Sequence, residues 1–383
     1  MKQKLLYIVR YSIDEDFNLK MKFDGQLEAF RNIGYDVYFV GYDHQHFYLI
    51  HNDSKEIIGN THFSIPSYIH TFYYVDVYNI IRKLIKKEYF DYFYWRSAPS
   101  WLASYRLTKA IKKSGSKLIY EIPTFLKTTE KPLSKLRALF EVYSSHWNNK
   151  MNQYIDCYVM IGEDAHGMYK GKPAINIDNG INVDAIPVRK VNYDPNAIHL
   201  MALASMSYWH GYDRIIQSLA DYKGNQKVII HMIGGNDGGS IPEWKELTNK
   251  LNLQDQVIFH GQMSGKALDE MFDQCDLGIN SLGLYRKNLY ITSELKAREY
   301  AARGLPFVRA VDDMIFDHAS DEKINWIKVS NDSSIPDMQE IVGFALKMRS
   351  NVHVSSELRE FARKYMTWEA QYKKVFDLLE NKS

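Results

Sequence analysis

Cysteine is nearly absent from this sequence. Cys157 and Cys275 are the two in 383 residues, far apart and inside apolar runs, so neither a disulfide framework nor a zinc site is expected and a reducing cytoplasm fits. Long hydrophobic runs are missing too: no apolar stretch reaches the roughly eighteen residues of a membrane span. The opening MKQKLLYIVRYSID has about six apolar residues before Arg10, short of the roughly 7–15 of a signal-peptide core, and reads as a strand. There is no charge excess of either sign, since 48 Lys and Arg against 46 Asp and Glu leave a net charge of +2. Their even interspersion removes the basic footprint of a nucleic-acid binder. No fixed-period repeat occurs, which excludes solenoids and propellers. No Gly-x-Gly-x-x-Gly follows the first apolar run, and the Gly-rich IGGNDGG at 233–239 lacks the Gly-Lys-Ser/Thr ending of a P-loop. Dinucleotide redox chemistry and triphosphate hydrolysis are both disfavoured.

What is present is a steady alternation. With 45% apolar and 25% charged residues the chain is globular, and its length suits two domains. Apolar runs at 5–9, 35–41, 91–95, 117–121 and 156–161 alternate with helical patterns at 19–33, 74–88 and 99–113. After a turn-rich stretch, NIDNGINVDAIPVRKVNYDPNA (176–197), the pattern restarts with runs at 199–204, 227–233, 256–260, 276–281 and 305–310, and helices near 211–221, 241–251, 264–273 and 293–303. Strand–helix–strand repetition predicts α/β architecture: two doubly wound, Rossmann-like parallel sheets, in domains 1–180 and 190–366 joined by the turn-rich linker. The terminal segment 367–383 carries Trp368, Tyr372, Val375, Phe376 and Leu379 on one stripe and must pack on something.

Ligands of open α/β sheets bind at the carboxyl ends of the strands, which points to a cleft between the two sheets. Sequence features cluster there. TSELKAREYAARGLPFV (292–308) reads as a loop, a Ser293 cap and a helix stopped by Gly304 and Pro306. Ala297, Tyr300 and Ala301 share the packing face, while Glu299 points elsewhere. The helix start offers unpaired backbone N–H groups to an anion. The alternative is surface decoration, because Glu294 with Arg298 and Glu299 with Arg303 are both i,i+4 pairs. A second patterned stretch, 131–143, sets Leu133, Leu136, Phe140 and Tyr143 on one stripe beside Lys131, Lys135 and Arg137. It reads as a surface helix or as a peripheral contact with the inner membrane face.

SMSYWHGYDRIIQSL (205–219), MIGGNDGG (232–239), LQDQVIFHGQMSGKALDEMFDQCDLGIN (253–280) and ELKAREYAARGLPFV (294–308), in this order, resemble the C-terminal half of retaining glycosyltransferases of family 4, which have the GT-B fold. KLIYEIPTF (117–125) is similar to members that assemble bacterial capsular or exopolysaccharides, and DNGINVD (178–184) to the family's hinge entry. The resemblance implies a nucleotide-sugar domain in the second half, an acceptor domain in the first and a terminal helix crossing back to the first. It implies that Glu299 holds the donor ribose. It also exposes departures: the family's other glutamate falls at Ile291, and its diphosphate-neutralising Arg and Lys fall at Ser205 and His210. Lys296, Arg298 and Arg286 are the cations that could compensate, as is His210 if phosphate raises its pKa.

The donor-side residues expected are Ser205, His210, Gly211, Gly234, Gln262, Thr292, Ser293, Glu294, Leu295, Lys296 and Glu299. Glu121, at the end of the 117–121 strand, and His210 are the candidates for the catalytic region. The implied activity is metal-independent transfer of a sugar, with retention, from a nucleotide-diphospho-sugar to a hydroxyl of a glycan, lipid-linked glycan or protein. A UDP-sugar is the expected donor, as a co-substrate with no further cofactor. The competing reading, kept open by Ile291, Ser205 and His210, is a non-catalytic GT-B partner subunit of an active transferase.

Overall fold

The computed structural model describes residues 2–14, 19–62, 72–123, 135–161, 167–236, 238–317 and 325–380. They divide into two compact units, Met1–Ile177 with Trp368–Ser383, and Asp178–Thr367.

The first unit holds β1 (Lys4–Ser12), β2 (Asp36–Tyr42), β3 (His46–His51), β4 (Ser54–Asn60), β5 (Tyr92–Arg96), β6 (Lys117–Ile122), β7 (Cys157–Ile161), β8 (Met168–Tyr169) and β9 (Lys172–Ile177). They form one sheet in the order β4-β3-β2-β1-β5-β6-β7-β9-β8. The five apolar runs of this half are the parallel centre of that sheet. Their side chains are buried on both faces, because helices α1 (Lys20–Asn32), α2 (Tyr73–Leu84), α3 (Leu102–Lys113) and α4 (Lys135–Met151) flank the strands. The periodicity reading does not reveal β3 and β4, an antiparallel hairpin turning at Asn52, whose φ is 50°. Its outer strand is mostly exposed and polar, so it lacks the apolar signal of a buried strand.

The terminal helix (Trp368–Glu380) belongs to this unit and buries the stripe Trp368, Tyr372, Val375, Phe376 and Leu379. Phe30 of α1 lies 4.4 Å from the Tyr372 ring, and Tyr35 lies 4.2 Å from Phe376. Gly25 permits this approach, since a Cβ there would stand 2.9 Å from the Trp368 indole.

The second unit is a six-stranded parallel sheet of β10 (Ala197–Leu203), β11 (Lys227–Ile233), β12 (Val257–Gly261), β13 (Leu277–Ile279), β14 (Phe307–Arg309) and β15 (Trp326–Lys328). Its order is β12-β11-β10-β13-β14-β15, so the chain reverses direction of winding between β10 and β13. Covering it are α5 (Tyr212–Asp221), α6 (Ile241–Lys250), α7 (Gly265–Gln274), α8 (Leu295–Arg303), the short α9 (Met314–Asp317), α10 (Met338–Ser350) and α11 (Val354–Tyr365). The turn-rich stretch expected as a linker is packed from Asp178 onward onto this unit. Its Arg189 is buried and donates to the carbonyls of Cys275 at 2.7 Å and Gly304 at 2.9 Å.

Within α4, Phe140 and Tyr143 pack against Trp101 at 5.1 and 5.8 Å, while Leu139, Val142 and, in part, Tyr143 are exposed. Residues 131–134 of the proposed membrane stripe lie outside the described residues. No helix among the described residues is long and apolar enough to cross a membrane.

Candidate active site

The reversal between β10 and β13 makes the loops after these strands the expected ligand position of the second unit. The two loops are stitched backbone to backbone. Leu282 N–H donates to the His210 carbonyl at 2.7 Å. Gly211 is left-handed, with φ 65°, and a Cβ on it would lie 2.4 Å from the Gly283 nitrogen. Only glycine satisfies both demands. Arg286 locks the same junction by a two-pronged pair with Asp213 at 2.6 and 2.9 Å and a bond to the Tyr208 carbonyl at 2.7 Å. That guanidinium is committed to structure. Gly234, at the end of β11, closes against the exit of β10, where a Cβ would sit 1.7 Å from the Ala204 carbonyl oxygen.

Helix α8 starts in front of this junction. Its N-cap is Glu294 and not Ser293, as the spacing suggests. Ser293 is instead tied to the segment entering the unit: Asn179 N–H donates to its hydroxyl at 2.7 Å, and the Asn179 side chain to its carbonyl at 2.5 Å. Thr292 N–H is also spent, on the Asp312 carbonyl at 3.0 Å. The first-turn amides of the helix are therefore those from Leu295 onward. The Leu295 side chain is exposed, as are Ser205 and Gln262.

Lys296 and Glu294 have side chains only 12% and 11% exposed, 3.7 Å apart. Lys296 Nζ donates to Ser281 Oγ at 3.0 Å and Tyr212 Oη at 3.2 Å. Glu294 Oε1 accepts from the Ser281 hydroxyl, whereas its buried Oε2 has no hydrogen-bond partner among the described residues. Burial raises the Glu294 pKa and lowers that of Lys296, each against the pull of the other's charge.

His210 differs from expectation. Burial pushes its pKa down to about 2, helped by the charges of Lys296 and Lys287, and Nδ1 accepts the Ser207 N–H at 3.0 Å. The imidazole is neutral and supplies no cation here. Arg298 does not compensate either. It is fully buried, holds the Asp313 carboxylate with both terminal nitrogens and reaches the Asn179 carbonyl at 3.2 Å. Lys296 is the one of the expected cations that is committed to no two-pronged carboxylate pair.

Glu299 points away from the Ala297, Tyr300 and Ala301 face, which is fully buried. Its side chain is 27% exposed and pairs with Arg303 Nε at 3.0 Å, and Arg303 in turn holds Asp269 at 2.6 Å.

In the first unit Glu121, the other candidate for the catalytic region, is entirely buried. Its carboxylate accepts from Tyr94 Oη at 2.8 Å and pairs with Arg96. Arg96 lines a cavity of about 420 Å³ at the carboxyl ends of β1 and β5, the point of reversal in that sheet. No apolar periodicity announces this cavity, because its walls are strand ends and helix residues distant in sequence. Arg10, Tyr42 and Trp95 are among them.

Two Rossmann-like α/β units with a ligand position at each sheet's reversal define the GT-B fold of glycosyltransferases. The comparisons agree. Residues 188–281 match the family model described as glycosyl transferases group 1. No curated protein matches the chain in sequence. Among solved structures the chain is similar to sucrose-phosphate synthase from Thermosynechococcus elongatus, at 15% identity, with all of both chains covered and a TM-score of 0.67. It is similar to Anabaena HepE in complex with UDP and glucose, at 12% identity, covering 99% of this chain and 100% of that one, with a TM-score of 0.62. The catalytic domain of Arabidopsis thaliana starch synthase IV, bound to ADP and acarbose, aligns at 9% identity over 100% of this chain and 99% of that one, with a TM-score of 0.66.

Proposed function

We propose that the chain transfers a sugar from a UDP-sugar to an acceptor hydroxyl, with retention at the anomeric carbon and without a metal ion. The observation that carries this is Lys296: a buried ammonium one residue inside the N-terminus of α8, beside the reversal point of the second sheet. A diphosphate at that spot meets a positive charge and the positive end of a helix, both held in place before the leaving group departs. Glu299 accepts hydrogen bonds from the ribose hydroxyls, taking its carboxylate from the partly exposed pair with Arg303. Glu294 Oε2, without a hydrogen-bond partner among the described residues, accepts a hydroxyl of the donor sugar, and the exposed Ser205 and Gln262 border the nucleotide. UDP is preferred over other nucleotides here because the HepE structure, which this fold resembles, contains UDP. The acceptor is a glycan, a lipid-linked glycan or a protein, bound by the first unit. The acting protein is cytoplasmic, at the inner membrane face when its acceptor is lipid-linked.

A second reading is favoured by Ile291, 42% exposed where a glutamate is the family pattern, and by the neutral His210: a non-catalytic partner subunit that keeps the fold. A thermal-shift series with UDP, GDP and dTDP separates the two. Binding stabilises by RT ln(1 + [L]/Kd), so a rise in melting temperature with UDP supports the transferase, and product analysis with a panel of donors then names the sugar. No shift with any of the three removes the transferase reading.

A further inference from the structure

We propose that the first unit's cavity takes an acidic saccharide, one carrying a carboxylate or a phosphate, as the acceptor. This rests on the transferase reading and deepens it by naming the chemistry of the molecule that receives the sugar.

The cavity stands where β1 and β5 end, with Arg10 and Ser12 from one strand and Trp95, Arg96 and Ser97 from β5 and its exit. This is the reversal point of the first sheet, where strand carbonyl ends and loops leave room for a ligand. Its inner wall is aromatic, with Phe23, Tyr42, Tyr78 and Trp95, a surface suited to the apolar face of a sugar ring.

Charge decides the class of sugar. Among the described residues, those lining the cavity include two arginines and no carboxylate. Arg96 is offset from behind by the buried Glu121. Arg10 has no such partner among the described residues: it is exposed, donates to Tyr42 Oη at 3.3 Å and lies over the Tyr73 ring at 5.8 Å. Lys22, buried against the Trp368 ring at 5.4 Å, lies near the same Glu121; burial lowers its pKa to about 8 against the pull of that carboxylate. Arg96 thus has a carboxylate behind it, whereas Arg10, at the cavity's rim, has none among the described residues. A neutral sugar leaves that guanidinium as it is in the empty site. A carboxylate or phosphate can accept two parallel N–H bonds from it in surroundings drier than bulk water, where charge-assisted bonds are stronger.

The test is a titration of the whole chain, saturated with UDP, followed by intrinsic tryptophan fluorescence and calorimetry. The probes are a glucuronate-containing disaccharide, glucose 6-phosphate and the neutral disaccharide maltose. We expect at least one acidic probe to bind about tenfold or more tighter than maltose, with an affinity that falls as salt is raised. Arg10→Gln should remove that preference about tenfold without changing maltose binding, and Arg10→Lys should restore part of it. Which acidic probe wins tells carboxylate from phosphate. Equal binding of maltose, no binding of either acidic probe at millimolar concentration, or an unchanged preference in Arg10→Gln would overturn the proposal. The UDP titration of the same samples is independent of Arg10: its failure removes the transferase reading, whereas intact UDP binding with no acidic preference removes only this inference.

Discussion

Lys296 Nζ stands 3.7 Å from Glu294 Oε1 with both side chains nearly buried, and the second oxygen of that carboxylate has no hydrogen-bond partner among the described residues. A half-satisfied buried pair is costly to keep and gains most from a ligand that completes it. Lys296→Met is expected to weaken UDP binding by about one to two orders of magnitude and to destabilise the fold by about 3 kcal/mol, since Glu294 is left buried without its cation. The double variant with Glu294→Gln should recover most of the stability and none of the affinity. Chemical denaturation and calorimetry on the wild type and the two variants check both halves, and recovered UDP binding in the double variant would show that Lys296 acts only on folding.

Glu299 offers a cleaner separation of binding from stability. Its pair with Arg303 is partly exposed, so Glu299→Gln should change stability by less than about 0.5 kcal/mol. If the carboxylate holds the ribose, the same change lowers UDP affinity about tenfold to a hundredfold. Equal affinities of wild type and variant would return Glu299 to a surface pair.

For Glu121 the expectation is the reverse. Glu121→Gln removes the partner of Arg96 in a fully buried position, and a loss of about 3–5 kcal/mol of stability follows from the uncompensated guanidinium. Any surviving folded fraction should bind UDP normally, because Glu121 belongs to the other unit. A variant of unchanged melting temperature would contradict this structural role.

Acid should destabilise the second unit through its histidines. His231 is held between His199 and His260 at 2.8 Å on either side, with Asp194 closing the row at 3.2 Å from His199. Burial first, then the two neighbouring histidines, pushes its pKa down to about 3, and that of His210 falls to about 2. In both cases the folded pKa lies below the unfolded value near 6.5. Below that value the unfolded chain takes up protons the folded one refuses, so stability falls as pH drops from about 6.5 toward 3. Each histidine contributes a slope of about 1.4 kcal/mol per pH unit well below 6.5. Urea midpoints at pH 7.5, 6 and 5 should show the decline, shallower by about one proton in His231→Gln. An equal slope in that variant refutes the assignment.

Much of this architecture was legible in residue order alone. Parallel strands buried on both faces must be continuously apolar, so the central strands of both sheets announced themselves, and the terminal stripe declared a face that had to be covered. The helix from Leu295 to Arg303 and its stop at Gly304, left-handed at φ 78°, follow from local periodicity and backbone chemistry. Edge strands such as β4 and the short β15 carry no such signal, because a strand wetted on one side or three residues long need not be apolar throughout. Tertiary structure alone decided which charges are available. Arg286, Arg298, Lys296 and Glu121 are indistinguishable in kind from other charged residues of the chain. Folding commits the two arginines to Asp213 and Asp313, seals Glu121 behind Arg96, buries Lys296 beside Glu294 and leaves Arg10 lining a cavity. The physical reason is that a charge's role is set by desolvation and by neighbours within a few ångströms, and these come from segments far apart in sequence.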